Sequence, residues 1–494
     1  MLYSNAIEFI CQEFYKKNHK KITLSTTIHD KTLDLTVQKQ YNVHAGLFMP
    51  NKRVKDITKM TISEKLSNKK YKKPNKALYC TLTNVVVKSL AKKYGVSFIR
   101  RIDMEKYKNT QFILIGNHAS RADYIYASLA VGASIPLNFI LGRNEFYRSH
   151  LKGIVNLVNC IPKKNFVADT LTIRGVTSVL KSGGNLCFFP EGMSSVSGTQ
   201  QPVALGTGKM LKHYKLPVLC VKIKGGYLTN VKYNLEERPG KTEVELLELF
   251  TANDLEKMTA DEIQNRVDEV LIHDDYEWNL QAKNSYKSTN IAKNIHQLLY
   301  KCPVCGAEYS IIDNDGKITC KKCGLKIEID QTYRFTLPKN SFLPSTPAKW
   351  YEWERRIVRK EVQAPDFCLT EKVSLGVLPE KEFLKNQATS VIVGEGVLTL
   401  DKSGLKYEGI RSGKPFIAFI ESKNLPTLGM CTDASKFYTF AYQGEFLEFI
   451  PLEHECAAKW FIAVEEVHRT NGGKWQYYPW FDYDDMTAGF VKTE

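Results

Sequence analysis

Two short apolar runs in this chain each stop at a loop dense with polar chemistry, and that repeated arrangement restricts the fold more than any other feature. Phe112-Ile113-Leu114-Ile115 runs through Gly116 into Asn117-His118-Ala119-Ser120-Arg121-Ala122-Asp123. Asn185-Leu186-Cys187-Phe188-Phe189 follows the turn signal Gly183-Gly184 and runs into Pro190-Glu191-Gly192. Buried strands that end in such loops belong to open α/β sheets, which place ligands at the carboxyl ends of their strands. The helix-like run 124–130 follows the first loop, so His118 falls at a strand-to-helix turn with Asp123 about one helical turn further on. An aspartate in a first helical turn suits the helix dipole on its own account. With the second acidic loop present, the pair reads instead as a histidine base with a carboxylate to orient it.

The order His-x-x-x-x-Asp then Phe-Pro-Glu-Gly, at this spacing, resembles the glycerolipid acyltransferase family (1-acylglycerol-3-phosphate acyltransferase-like). Gly142-Arg143-Asn144-Glu145-Phe146 and Leu216-Pro217-Val218-Leu219-Cys220-Val221 resemble two further blocks of that family, and together these motifs cover residues 80–230. The resemblance implies an α/β domain with a mixed central sheet. It also implies an O-acyltransferase that moves a fatty acyl group from acyl-CoA or acyl-carrier protein to a lysophospholipid or glycerol-phosphate-like hydroxyl, as in phospholipid biosynthesis or remodelling. His118 and Asp123 would be catalytic. Glu191, Gly192 and Ser194 would shape the acceptor side, and Arg143, Lys163 and Lys164 would hold anionic groups. One departure bears on the acceptor: where the family usually continues Thr-Arg after Phe-Pro-Glu-Gly, this chain has Met193-Ser194-Ser195, so a fork-shaped anion contact is missing. Lys163 and Lys164 can bind a phosphate as point charges, or equally form a solvated turn. That departure keeps a second reading open, a catalytically inactive membrane-surface scaffold or adaptor with an acyltransferase fold.

Four of the twelve cysteines stand as Cys302-Pro303-Val304-Cys305-Gly306 and Cys320-Lys321-Lys322-Cys323-Gly324. Each Cys-x-x-Cys-Gly folds as a knuckle that turns backbone amides toward its thiolates, and two knuckles close a tetrahedral site. The segment between them reads as a hairpin, which makes this a zinc-ribbon signature. Iron is the minor alternative, and disulfides are disfavoured in a reducing compartment. Four thiolates leave no open position for water, so the zinc is expected to be structural. Lysines around the ribbon are balanced by acidic residues and no stacking pattern is present, so nucleic acid is not expected as a partner.

The net charge of +16 is unevenly spread: residues 1–110 hold 23 of the 69 basic residues but 8 of the 53 acidic ones. Such a basic front suits an anionic membrane surface or a solvated face. The leading residues lack a secretory pattern, so a cytoplasmic protein, peripheral at the inner face of the membrane, is expected. The uncharged stretch 124–142 is long enough to suggest a membrane span, but Gly132, Ser134, Pro136 and Asn138 break it into a core helix, a turn and a strand. Residues 84–94 read either as an amphipathic helix in the lipid interface or as a helix covering the sheet. Gly206-Thr207-Gly208-Lys209-Met210 fails as a phosphate loop, because Val203 and Met210 replace its required Gly and Ser/Thr.

Four units follow: residues 1–75, basic and of unknown role, with a helical start at 5–15; 76–280, the acyltransferase domain; 298–332, the ribbon; and 350–494, β-rich. Residues 69–76 and 338–347 read as linkers, and 254–278 as helical. The last unit reads as a helix over 350–362, strands at 388–393, 396–400, 404–407, 415–420, 437–442 and 446–450 with glycine turns between the first three, and a helix over 453–469. That order resembles a PH/GRAM-type module, a binder of lipids or proteins.

Overall fold

The computed structural model describes residues 60–494 apart from positions 315, 386, 387, 432, 456, 475–477, 479 and 480. The expected helix at 5–15 and the basic unit 1–75 up to residue 59 therefore lie outside the described residues.

Seven strands form the central sheet: β1 (Val96–Arg100), β2 (Ile113–Gly116), β3 (Leu137–Gly142), β4 (Ile161–Lys163), β5 (Asn185–Phe188), β6 (Val218–Lys224) and β7 (Thr242–Phe250), in the order β1-β7-β6-β2-β5-β3-β4. β6, β2, β5, β3 and β4 run parallel, whereas β7 is antiparallel to β6 and β1 lies parallel to β7. The sheet is mixed, as the resemblance implied. Its central strands are continuous apolar runs because both faces are covered. Leu114 faces Ile125 and Ala127 of the helix Asp123–Ala130, while Ile113 and Ile115 join Val176, Val179, Leu211 and Ile263 from helices on the other side.

Residues 124–142 divide as expected into the end of a helix, a turn and β3, and no helix among the described residues is long and apolar enough to cross a membrane. The helical segment from Lys76 to Lys93 buries Val86, Val87 and Ala91, the last two in the same core as Leu114. Of the two roles open to residues 84–94, covering the sheet is the one that uses this apolar stripe. The region expected as helical at 254–278 is three helices, Ala252–Lys257, Ala260–Val270 and Asp275–Ala282. Thr251 and Thr259 start the first two with capping boxes, and the Asp274 carboxylate caps the third.

The ribbon is a four-stranded antiparallel sheet of β8 (Ile311–Asn314), β9 (Lys317–Cys320), β10 (Lys326–Ile329) and β11 (Phe335–Thr336). Beyond it, residues 338–347 are not a plain linker: β12 (Phe342–Pro344) pairs antiparallel with β20 (Phe490–Lys492) at the far end of the chain. A partner so distant in sequence leaves no local trace at 338–347.

The β-rich unit follows a helix, Pro347–Gln363, capped by Thr346. Its strands are β13 (Cys368–Val377), β14 (Val391–Asp401), β15 (Gly404–Arg411), β16 (Lys414–Glu421), β17 (Gly429–Met430), β18 (Phe437–Thr439) and β19 (Leu447–Pro451), closed by the helix Ala457–Thr470. They form one antiparallel sheet in the order β16-β15-β14-β13-β19-β18-β17. Sequence reading missed β13, and it split β14 in two by placing a turn between residues 393 and 396, at Gly394 and just before Gly396. Both glycines lie within the strand, where a Cβ at Gly394 would sit 1.9 Å from the Ile410 carbonyl oxygen and one at Gly396 2.5 Å from that of Glu408. They permit close approach of β15. One hydrophobic core runs from Met193, Val196 and Tyr227 through Cys302 and Ile318 of the ribbon to Trp350 and Trp460, so the units pack as one body.

Candidate active site

Because β2, β3, β4, β5 and β6 are parallel, the residues that follow them converge on one edge of the sheet. His118 follows β2, Arg143 follows β3, Lys163 ends β4 with Lys164 just after it, and Glu191 follows β5.

His118 is held from several directions. Asn117 beside it makes two hydrogen bonds to one residue of β6: its Nδ2 donates to the Ile223 carbonyl at 2.8 Å and its Oδ1 accepts the Ile223 N–H at 2.7 Å. The imidazole stacks on Phe189, with ring centroids 4.7 Å apart. His118 Nδ1 lies 2.7 Å from Asp123 Oδ2. The Asp123 carboxylate is buried and also accepts the Ser120 N–H at 2.9 and 3.0 Å and the Ser120 hydroxyl at 3.1 Å. Burial raises its pKa above the ordinary carboxylate range, against the opposing pull of His118 and of these hydrogen bonds. With Nδ1 turned to Asp123, the half-buried ring is left with Nε2 for a substrate. The geometry is one in which an imidazole base with an orienting carboxylate can make a hydroxyl nucleophilic.

The second motif is fastened to the first. Glu191 is buried, and its Oε1 accepts the His118 N–H at 2.6 Å while its Oε2 accepts the Gln201 N–H at 2.7 Å. The Ser195 N–H donates to the His118 carbonyl at 2.7 Å. Gly192 turns with φ +76°, and a Cβ there would lie 3.2 Å from the Phe166 ring. Glu191 thus directs both oxygens to backbone amides instead of to open space.

The remaining candidates lie toward the β-rich unit. Arg143 is buried and donates to Ser63 Oγ at 2.6 Å. Lys163 is half-buried, and its ammonium reaches the Lys164 and Val167 carbonyls at 3.4 Å. Burial lowers the pKa of both lysines, and Arg143 lowers that of Lys164 further. Lys164 Nζ sits 2.6 Å from the position a Cβ on Gly444 would take, and Asn165 Nδ2 donates to Tyr438 Oη at 3.0 Å. Met193, where an Arg-containing pair would follow, is buried, and its Sδ accepts the Met430 N–H of β17 at 3.1 Å. Ser194 Oγ accepts from Lys232 Nζ at 3.1 Å. Asn117, Ser120, Phe189 and Lys232 were not singled out as site residues from sequence. The first three lie inside the quoted runs, but Lys232 carries no motif and is revealed by topology alone.

The four ribbon cysteines are free thiols, gathered with all sulfurs within 4.8 Å of one another. Cys302 and Cys323 Sγ are 3.7 Å apart, and Cys305 and Cys320 Sγ 3.8 Å. Those spacings match the edge of about 3.8 Å expected for a tetrahedron of sulfurs with metal–sulfur bonds of about 2.3 Å. Each knuckle closes at a glycine of positive φ, Gly306 or Gly324, whose N–H bonds back to the Cys302 or Cys320 carbonyl. The cluster could hold a metal ion.

Comparison with known families places an acyltransferase domain within this fold. Residues 99–224 match the protein-family model described as Acyltransferase. Among solved structures, the chain is similar to the 1-acyl-sn-glycerophosphate (LPA) acyltransferase PlsC from Thermotoga maritima, with a TM-score of 0.32, 21% identity, and coverage of 39% of this chain and 78% of that one. No curated protein sequence matches.

Proposed function

We propose that this protein is an O-acyltransferase that transfers a fatty acyl group from a thioester, acyl-CoA or acyl-carrier protein, to the hydroxyl of a lysophospholipid or glycerol-phosphate-like acceptor. The observation that carries this reading is the 2.7 Å contact between His118 Nδ1 and the buried Asp123 carboxylate at the carboxyl edge of the sheet. His118 Nε2 accepts the hydroxyl proton as the oxygen attacks the thioester carbonyl. The Asp123 carboxylate stabilises the imidazolium that forms. Collapse of the tetrahedral adduct breaks the carbon–sulfur bond, and the imidazolium returns its proton to the departing thiolate. A scaffold with no activity has no need of this dyad, which favours the enzyme over the inactive reading.

Glu191 and Gly192 act by holding the loop against His118, while Ser194, Arg143, Lys163 and Lys164 line the acceptor side. The cluster of Cys302, Cys305, Cys320 and Cys323 is read as a structural zinc site, with no position left for chemistry. The strand order and closing helix of residues 350–494 support a PH/GRAM-like unit, and the basic residues before residue 110 support peripheral contact with an anionic membrane at the cytoplasmic face. Purified protein given a labelled acyl thioester and a panel of lipid acceptors tests the reading: wild type forms acylated product and His118→Ala does not. Equal product from both sinks the mechanism.

A further inference from the structure

Most buried Lys and Arg side chains among the described residues have a carboxylate beside them. Among the described residues Arg238, Arg355, Arg356, Lys459 and Arg469 are all buried, and each has a carboxylate oxygen within 4.0 Å. Arg143 and Lys232 are buried too, and among the described residues neither has one. A desolvated ammonium without a counter-charge is costly, so its persistence calls for an anion.

Lys232 is 6% exposed. It follows the short helix Gly226–Thr229 that succeeds β6, a strand parallel to β2, and so reaches the same sheet edge as His118. Among the described residues its ammonium has one hydrogen-bond acceptor, Ser194 Oγ at 3.1 Å, leaving two N–H bonds unassigned. Ser194 adjoins Ser195, whose N–H holds the His118 carbonyl. The charged and titratable groups acting on Lys232 are Cys431 and Asp433 of the β-rich unit, Arg121, and Glu145. Glu145 is already engaged by Arg148 at 3.2 Å and Asn144 at 2.9 Å.

We propose that Lys232 is a specificity-determining residue which, with Ser194, holds the phosphate monoester of the acceptor against the site of His118. The proposal rests on the acyl-transfer reading for the word acceptor, but the anion site stands on its own geometry. A monoester carries about −1.5 to −2 charge at neutral pH, enough to neutralise a buried ammonium, and Lys232 binds it as a point charge while the Ser194 hydroxyl donates a hydrogen bond. Cys431 and Asp433 place the β-rich unit beside the same group, so that unit contributes to acceptor choice.

The test measures binding and turnover separately on the full chain. The binding probe is sn-glycerol 3-phosphate, with glycerol and acetate as neutral and singly charged controls, followed by calorimetry. Wild type should bind the phosphate in preference to both controls, Lys232→Gln should bind it about tenfold or more weakly, and Lys232→Arg should recover much of the loss. Unchanged binding in a folded Lys232→Gln, or no preference for phosphate in wild type, overturns the proposal. Phosphate binding that depends on Lys232 without acyl transfer would overturn only the enzymatic reading. Should Lys232→Gln fail to fold, wild type decides: sn-glycerol 3-phosphate should protect Lys232 from reductive methylation, read by peptide mass spectrometry, and equal labelling with and without it contradicts the proposal.

Discussion

The Glu191 carboxylate accepts the backbone N–H of His118 at 2.6 Å, a bond that ties the second motif to the first across 73 residues. The other oxygen takes the Gln201 N–H, so the residue fixes the loop that presents His118. Glu191→Gln replaces one acceptor by an amide N–H that cannot accept, leaving a buried backbone donor unpaired at a cost of about 1–3 kcal/mol. The expected outcome is lower stability in denaturant titration at acidic pH, where the carboxyl's contribution is complete, and a kcat that falls more than KM rises.

The same carboxyl gives a pH signature. Burial pushes Glu191 up to about 8 from an ordinary value of 4.5, against the opposing backbone hydrogen bonds. The folded protein therefore holds this proton more tightly than the unfolded chain. Its contribution to stability is complete below about 4.5 and is lost as pH rises through about 8. Between those values wild type should lose stability relative to Glu191→Gln, measured as the difference in denaturation midpoint across pH; parallel curves would contradict this.

Lys232 gives a pH signature in ligand binding. Burial lowers its pKa to about 8, helped by Arg121 and opposed by Cys431, Asp433 and Glu145. Its charge disappears as pH rises through about 8, whereas a phosphate monoester is already doubly ionised there. KM for a phosphorylated acceptor should therefore climb above pH 8 in wild type, and Lys232→Arg should flatten that climb.

Met193 links the loop after β5 to the β-rich unit through its buried side chain and its contact with the Met430 N–H. Met193→Ala removes that packing and should destabilise the protein by about 2–5 kcal/mol, read by chemical denaturation. A near-neutral effect would mean that the loop and β17 are not coupled.

The ribbon's sulfurs predict about one zinc per chain by elemental analysis. Because Cys302 and Ile318 share a core with Trp350 and Trp460, removing the metal with a chelator should lower Tm for the β-rich unit as well as for the ribbon. A metal-free protein of unchanged Tm would contradict the assignment.

What could be read from the sequence was local chemistry carried by contiguous residues. The run from Ile113 to Asp123 shows its strand, turn and helix in order, and the two Cys-x-x-Cys-Gly knuckles show their spacing. Contacts set by the tertiary fold were invisible: β12 pairs with β20 from 146 positions or more away, and Gly394 looks like a turn residue until β15 lies against it. The role of Glu191 illustrates the difference. Its motif marks it as a site residue, but only the folded chain shows that its oxygens face the His118 and Gln201 amides. Lys232 lies in no motif, and only the parallel course of β6 brings it to Ser194.

The central claim is that His118 and Asp123 act as one catalytic unit in acyl transfer, and a double-mutant cycle tests it most directly. kcat/KM for transfer from a labelled acyl thioester would be compared for wild type, His118→Ala, Asp123→Asn and the double variant, with folding checked by circular dichroism. Each single substitution is expected to cost about 10²–10⁴-fold, and the double variant should be no slower than His118→Ala alone, because Asp123 works only through the imidazole. Multiplicative losses in the double variant, or wild-type rates in a folded His118→Ala, would contradict the account.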